Sequence, residues 1–187
     1  MNTPLQMAPL TFGDSKLPMA NEFVCLAIQK NTNELLRALA RFDFKQFNQA
    51  PAEGGWAAGA IAEHLLLVEI QIAKILKGNP GLKRNAPLDP EEKVALIIQR
   101  MSDRTNRIEA PESLLPSYTS KDPTSFTEKI LIQRRSLIQL VCETNLFCEY
   151  PDNPHRFFGV LTGMEWVNFI LNHCQRHIEQ LNEIRFR

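Results

Sequence analysis

Neither sign of charge dominates this sequence: 21 lysines and arginines stand against 21 aspartates and glutamates. Dedicated nucleic-acid binding usually leaves a basic face, so that class is set aside. No apolar run approaches the roughly 20 residues that a helix needs to cross a bilayer. The first residues lack the charged start and apolar core of a signal peptide, and Pro4, Pro9 and Pro18 interrupt them, so a cytoplasmic protein is expected. The four cysteines form no CxxC pair and no disulfide framework. Cys25, Cys142 and Cys174 fall inside helical patterns and read as small core hydrophobes. Period-two strand runs and Asn-Gly or Asp-Gly hairpin turns are missing, which points to an all-α chain. A glycine-rich phosphate loop and a Ser-His-Asp order are missing too.

What is present is helical periodicity over a length that suits one domain, 187 residues. Residues 1–20 carry no period and read as an extended arm ahead of a domain spanning 21–187. The first helix is expected from Asn21 to Phe44, with Val24, Ile28, Leu35, Leu39 and Phe42 on its stripe. The second runs from near Trp56 to Gly78-Asn79-Pro80, a glycine stop followed by proline. Its inner face is Ile61, His64, Leu65, Val68, Ile72 and Ile75. A shorter helix opens at Asp89-Pro90 within the following connection, and residues 110–122 read as loop. Asp122-Pro123 starts a third long helix, which ends near Asn145. The stretch from Gly159 to Leu181 closes the chain as the fourth. Four long helices with a long link between the second and third indicate a four-helix bundle with a crossover and a short extra helix. Connection lengths alone leave the order of the helices open.

The closing helix carries the chemistry. Trp166, Ile170, His173, His177, Leu181 and Ile184 fall at alternating steps of three and four, so both histidines share its apolar stripe. An unpaired imidazole is costly there, and something must satisfy its nitrogens. His64 lies on the inner face of the second helix. Three imidazoles converging from two helices suit zinc, nickel, iron or copper and leave open positions for water or substrate. A set of hydrogen-bonded core histidines is the alternative. A metalloprotease is excluded, because the general-base position of H-E-x-x-H is filled by Cys174. His155 sits in a loop, either as an exposed residue or at the mouth of a site. Glu63, Lys83-Arg84 and Arg134-Arg135 read as solvated charges, Glu165 and Arg176 beside the stripe as surface charges with substrate positioning as the alternative, and Trp56 and Trp166 as core anchors.

Two stretches carry a family resemblance. Trp56-Ala-Ala-Gly-Ala-Ile-Ala-Glu-His64-Leu resembles the second-helix motif of the DinB-like, or YfiT-like, superfamily. So do Pro154-His155-Arg156-Phe157-Phe158-Gly159-Val160-Leu161-Thr162, then Glu165-Trp166, then His173-Cys-Gln-Arg176-His177-Ile-Glu-Gln180. Here Pro154 precedes His155, where relatives often have the reverse order. The resemblance implies an up-up-down-down four-helix bundle. It also implies a divalent metal, nickel or zinc, on His64, His173 and His177. Characterised members include thiol transferases using low-molecular-weight thiols, a thiol-dependent isomerase and proteins described as metal-dependent hydrolases. The expectation is a metalloenzyme that activates a thiol or water against a small molecule, with a homodimer as the implied assembly. The competing expectation is a non-catalytic, stress-related binding bundle with structural or vestigial histidines.

Overall fold

A computed structural model describes residues 19–52, 54–81, 90–105, 108–117 and 119–184. Residues 1–18 of the arm expected over 1–20, Asp89 and Lys83-Arg84 lie outside the described residues, and Met19 and Ala20 belong to the first helix instead. The chain is all-helical: α1 (Met19–Leu39), α2 (Phe44–Asn48), α3 (Ala58–Lys77), α4 (Pro90–Ser102), a single 3-10 turn (Glu112–Leu114), α5 (Pro123–Glu143) and α6 (Gly163–Glu183). Among the described residues there is no strand, only the isolated bridges Glu149–Thr162 and His155–Gly159. No described helix is long and apolar enough to cross a membrane.

The four long helices bury their apolar stripes on one another. α1 packs against α5 and α6, α3 packs against the same two, and α4 lies along α6. Ile28, Leu35, Ile61, Leu137, Val167 and Leu181 are fully buried in the shared core.

Side-chain bonds fix the helix directions. Asn21, near the start of α1, donates to the Val141 carbonyl near the end of α5 at 2.8 Å, so these helices are antiparallel. Arg41, just past α1, donates to Asn182 near the end of α6 at 2.6 Å, so α1 and α6 are parallel. Tyr150, shortly before α6, donates to the Leu76 carbonyl near the end of α3, making α3 antiparallel to α6. In chain order the long helices therefore run up, down, down, up. This corrects the up-up-down-down order expected from the resemblance. The reason is geometric: α1 ends and α3 begins at the same end of the molecule, joined through α2. The chain must then climb again before α5 can descend, and α4 does the climbing. Lys93 on α4 donates to the Val160 carbonyl ahead of α6, while Arg176 far along α6 donates to the Met101 carbonyl. Thirteen residues of helix rise about 20 Å, which explains why this connection is long.

One helix end and one helix start differ from expectation, and both turn on capping boxes. α1 stops at Leu39, because Asp43 opens α2 instead: its carboxylate accepts from Gln46 N while the Gln46 side chain accepts from Asp43 N. α6 starts at Gly163 rather than Gly159. There Thr162 Oγ1 accepts from Glu165 N, and Glu165 Oε2 accepts from Thr162 N at 2.8 Å. Glu165 is thus a buried cap and not a surface charge. Arg134 is likewise no solvated cation. It is fully buried, paired with Glu69 at 2.6 Å and bonded to Asn31 Oδ1 at 3.0 Å. Glu63, expected in solvent, accepts from Ser117 N at 2.7 Å and pairs with the buried Lys121 ammonium at 3.2 Å. That pair ties the end of the crossover to α3. The cysteines are free thiols, with Cys25 and Cys174 buried in the core as expected.

Candidate metal centre

α3 and α6 run antiparallel, so His64 in the second turn of α3 meets the second half of α6. His173 and His177 lie one turn apart on α6, so their rings project to the same side. The three side chains meet: His173 Nε2 lies 3.3 Å from His64 Nε2 and 3.2 Å from His177 Nε2. One ligand atom from each residue fits within 4.8 Å of the others.

The outer nitrogens decide which atoms face inward. His64 Nδ1 donates to the Leu114 carbonyl at 2.8 Å, in the single 3-10 turn of the crossover. His177 Nδ1 donates to Gln180 Oε1 at 2.9 Å, one turn further along α6. Each ring therefore carries its proton on Nδ1 and points an Nε2 lone pair at His173. His173 Nε2 can donate to at most one of them, so lone pairs face one another unless a cation lies between. Two nitrogens that share one zinc would lie about 3.3 Å apart, and the His64–His173 and His173–His177 spacings match that value.

Burial keeps all three rings neutral, the form that binds metal. It lowers the pKa of His64, against a smaller opposing effect of the bond to Leu114. His173 is held well below the ordinary histidine value, by burial first and then by its histidine neighbours. His177 is pushed down to about 3, mainly by burial.

The triad forms one end of a cavity of about 260 Å³ with mainly apolar walls. Val68, Ile72 and Ile75 of α3, Trp166 and Phe169 of α6, and Ile108 and Leu114 of the crossover line it, together with the polar Gln71, Glu109, Arg156 and Arg176, so Arg176 is not simply a solvated charge. Trp56, expected as a core anchor, instead stands at the site. Its ring is 4.9 Å from His64 and stacks on His177 at 6.4 Å. Trp166 is buried as expected. His155 lies at the cavity wall, packed on Phe158 and Phe169 with ring centres 4.7 Å away in each case. Of its two readings, the mouth of the site is the one the fold supports.

The described site includes a backbone acceptor and Gln180, neither of which was assigned a role from sequence. The Leu114 carbonyl leaves no residue-type signal. Gln180 does leave one, a carboxamide three residues after a histidine on the same helix face.

Residues 27–181 match the family model of the DinB superfamily, a span that holds every residue of the site. The chain belongs to the DinB superfamily. It is similar to the uncharacterized protein YuaE of Bacillus subtilis (strain 168), 26% identical over 141 residues. That alignment covers 75% of this chain and 84% of YuaE. No solved structure matches the chain. Superfamily membership and a three-histidine cluster are thus both in hand, and the cluster is compatible with a metal site.

Proposed function

We propose that this DinB-superfamily chain is a metal-dependent enzyme on a four-helix-bundle scaffold, in which His64, His173 and His177 hold one divalent ion, nickel or zinc. The observation that carries this reading is the convergence of three Nε2 atoms, two of them lone-pair acceptors by virtue of their Nδ1 bonds, at the end of an apolar cavity. When bound, such an ion supplies Lewis acidity and lowers the pKa of a thiol or water beside it. The protein's own groups do the rest. Leu114 and Gln180 hold two of the rings in the ligating tautomer. Val68, Ile72 and Phe169 give the cavity apolar walls beside the cluster, which lowers the local dielectric and strengthens electrostatic interactions there. The cavity's size and apolar walls suit a small, largely apolar substrate. Transfer of a low-molecular-weight thiol to an electrophile and hydrolysis both fit this chemistry.

The test is metal analysis by inductively coupled plasma mass spectrometry on protein purified without affinity tag or chelator, beside a His173→Ala/His177→Ala variant. About one equivalent in the parent and none in the folded variant is expected of a three-ligand site. No metal in either, even after incubation with nickel or zinc, overturns the reading in favour of a binding bundle. A panel of thiols with a generic electrophile then separates the two reactions: loss of electrophile that depends on thiol marks transfer, and turnover without thiol marks hydrolysis.

A further inference from the structure

Two cysteines far apart in sequence meet across the seam between α1 and α5. Cys25 Sγ and Cys142 Sγ lie 3.5 Å apart, although 117 positions separate them along the chain. No other two cysteine sulfurs meet in this way among the described residues. The register that brings them together is pinned. Asn21, one turn before Cys25, donates to the carbonyls of Val141 and Thr144, on either side of Cys142, at 2.8 and 3.3 Å. A disulfide requires the two sulfurs to close by about 1.5 Å, a movement shared between two side chains.

The two thiols are not equivalent. Cys25 is fully buried and Cys142 half-buried, so a small solute meets Cys142 first. Cys25 donates its proton to the Ile138 carbonyl at a long 3.9 Å, which leaves a sulfur lone pair facing Cys142. Burial first, then the contact with Cys142 and the Glu22 charge, push the Cys25 thiol up to about 12. Cys25 is thus a poor first nucleophile. Against an electrophilic sulfur already in contact it needs only to react within the pair, where the effective concentration is high.

We propose that Cys25 and Cys142 are an oxidative modification site, at which a small hydroperoxide joins the two thiols into a disulfide tying the start of α1 to the end of α5. With hydrogen peroxide the O–O bond breaks as Cys142 sulfur takes one oxygen, giving a sulfenic acid and one water. Cys25 sulfur then bonds to Cys142 sulfur, the S–O bond breaks, and the Cys25 proton leaves with the hydroxide as a second water. Two electrons pass from the sulfurs to one peroxide. The Glu22 charge disfavours a thiolate at this end of the bundle, so the reaction belongs to millimolar rather than trace peroxide. The site is remote from the three histidines. Cys25 lies in the second turn of α1, whereas His64 lies in the second turn of α3, at the end where α1 stops. The modification therefore stands whether or not the metal reading does.

The test treats the reduced full chain with millimolar hydrogen peroxide, then unfolds it in an alkylating agent for peptide mass mapping. A linked pair of peptides carrying Cys25 and Cys142 is expected, with two of the four thiols lost to alkylation. Cys25→Ala should instead accumulate a Cys142 sulfenic acid that dimedone captures. Cys142→Ala should leave Cys25 free to alkylate. Because the bond closes a long loop, the oxidised parent should show a urea midpoint higher by at least about 1 M, and Cys142→Ala no such rise. Four free thiols throughout, Cys142 oxidised to a sulfinic acid beside a free Cys25, or a bridge to Cys148 or Cys174 would overturn the proposal. So would a midpoint that fails to rise in the linked protein, since the bond would then not fit the native bundle.

Discussion

Arg134 of α5 and Glu69 of α3 meet at 2.6 Å in the middle of the molecule, both shut off from solvent. Arg134 also reaches Asn31 of α1 and the thiol of Cys174 on α6, so one guanidinium ties α5 to the other three long helices. Burial drives the Glu69 carboxyl upward, and the guanidinium pulls it back toward ionisation. Removing either partner alone leaves a charge stranded in the core. Glu69→Leu or Arg134→Met is therefore expected to cost about 3–5 kcal/mol, and the double variant much less than the sum of the two. Urea unfolding followed by circular dichroism measures this. Additive losses would show that the two charges do not act as a pair.

Gly59 governs how closely α2 approaches the start of α3. A Cβ placed there would come within 2.8 Å and 2.9 Å of the buried Phe47 ring and 3.0 Å of the Phe47 carbonyl oxygen. The constraint is close approach, not unusual backbone. Gly59→Val should cost about 1–3 kcal/mol through overpacking, since both the helix start and the ring must shift. His64 lies just over one turn further on, so the same variant should also weaken metal uptake. A thermal unfolding midpoint that does not move would contradict the packing argument.

Gln180 touches no proposed ligand atom, yet it fixes the proton of His177 through the 2.9 Å bond to Nδ1. Gln180→Leu keeps the side chain's bulk and frees that proton to move to Nε2, where it competes with a cation. Metal affinity is expected to fall about 10–100-fold, with helical content unchanged. Competition with a chromogenic chelator reads the difference. Parent-like affinity in this variant would mean that the ring needs no help in choosing its tautomer.

The sequence made the histidines legible because two were locked into helical register on one apolar stripe and the third occupied the inner face of another. Those are local properties that survive without any knowledge of packing. Arg134 was not legible. Arg134-Arg135 reads as a solvated pair, and only the approach of Glu69, far away in sequence, turns one arginine inward. Glu165 and Asp43 could have been read, since T-x-x-E and D-x-x-Q stand openly at 162–165 and 43–46 and signal helix starts. The helix order could not. It depends on α4 running parallel to α6 through one carbonyl bond at each end, a relationship that no residue pattern carries.

The apo protein should lose stability on mild acidification, and the site is the cause. Burial holds His177 at about 3, and burial with the Arg156 charge holds His155 at about 4. His64 and His173 are lowered as well. An unfolded chain takes up these protons near pH 6.5, while the folded chain refuses them until well below. Folded-state pKa values lie under the unfolded ones, so the stability is complete above about pH 7 and is lost as pH falls from about 6.5 toward 3 or 4. Each buried ring that refuses its proton adds up to about 1.4 kcal/mol per pH unit to the slope. Urea midpoints at about pH 7.5, 6 and 5 should therefore fall in order, and His177→Gln should flatten the fall because it removes one refusing site. Carboxylate titration cannot imitate the early part of that curve, since ordinary carboxylates titrate below it. Saturating zinc should raise the midpoint at each of these pH values without moving the fall, because the folded rings stay unprotonated and bind the cation while the fall is set by proton uptake in the unfolded chain. A His177→Gln curve parallel to the parent would mean that the acid-sensitive protons bind elsewhere.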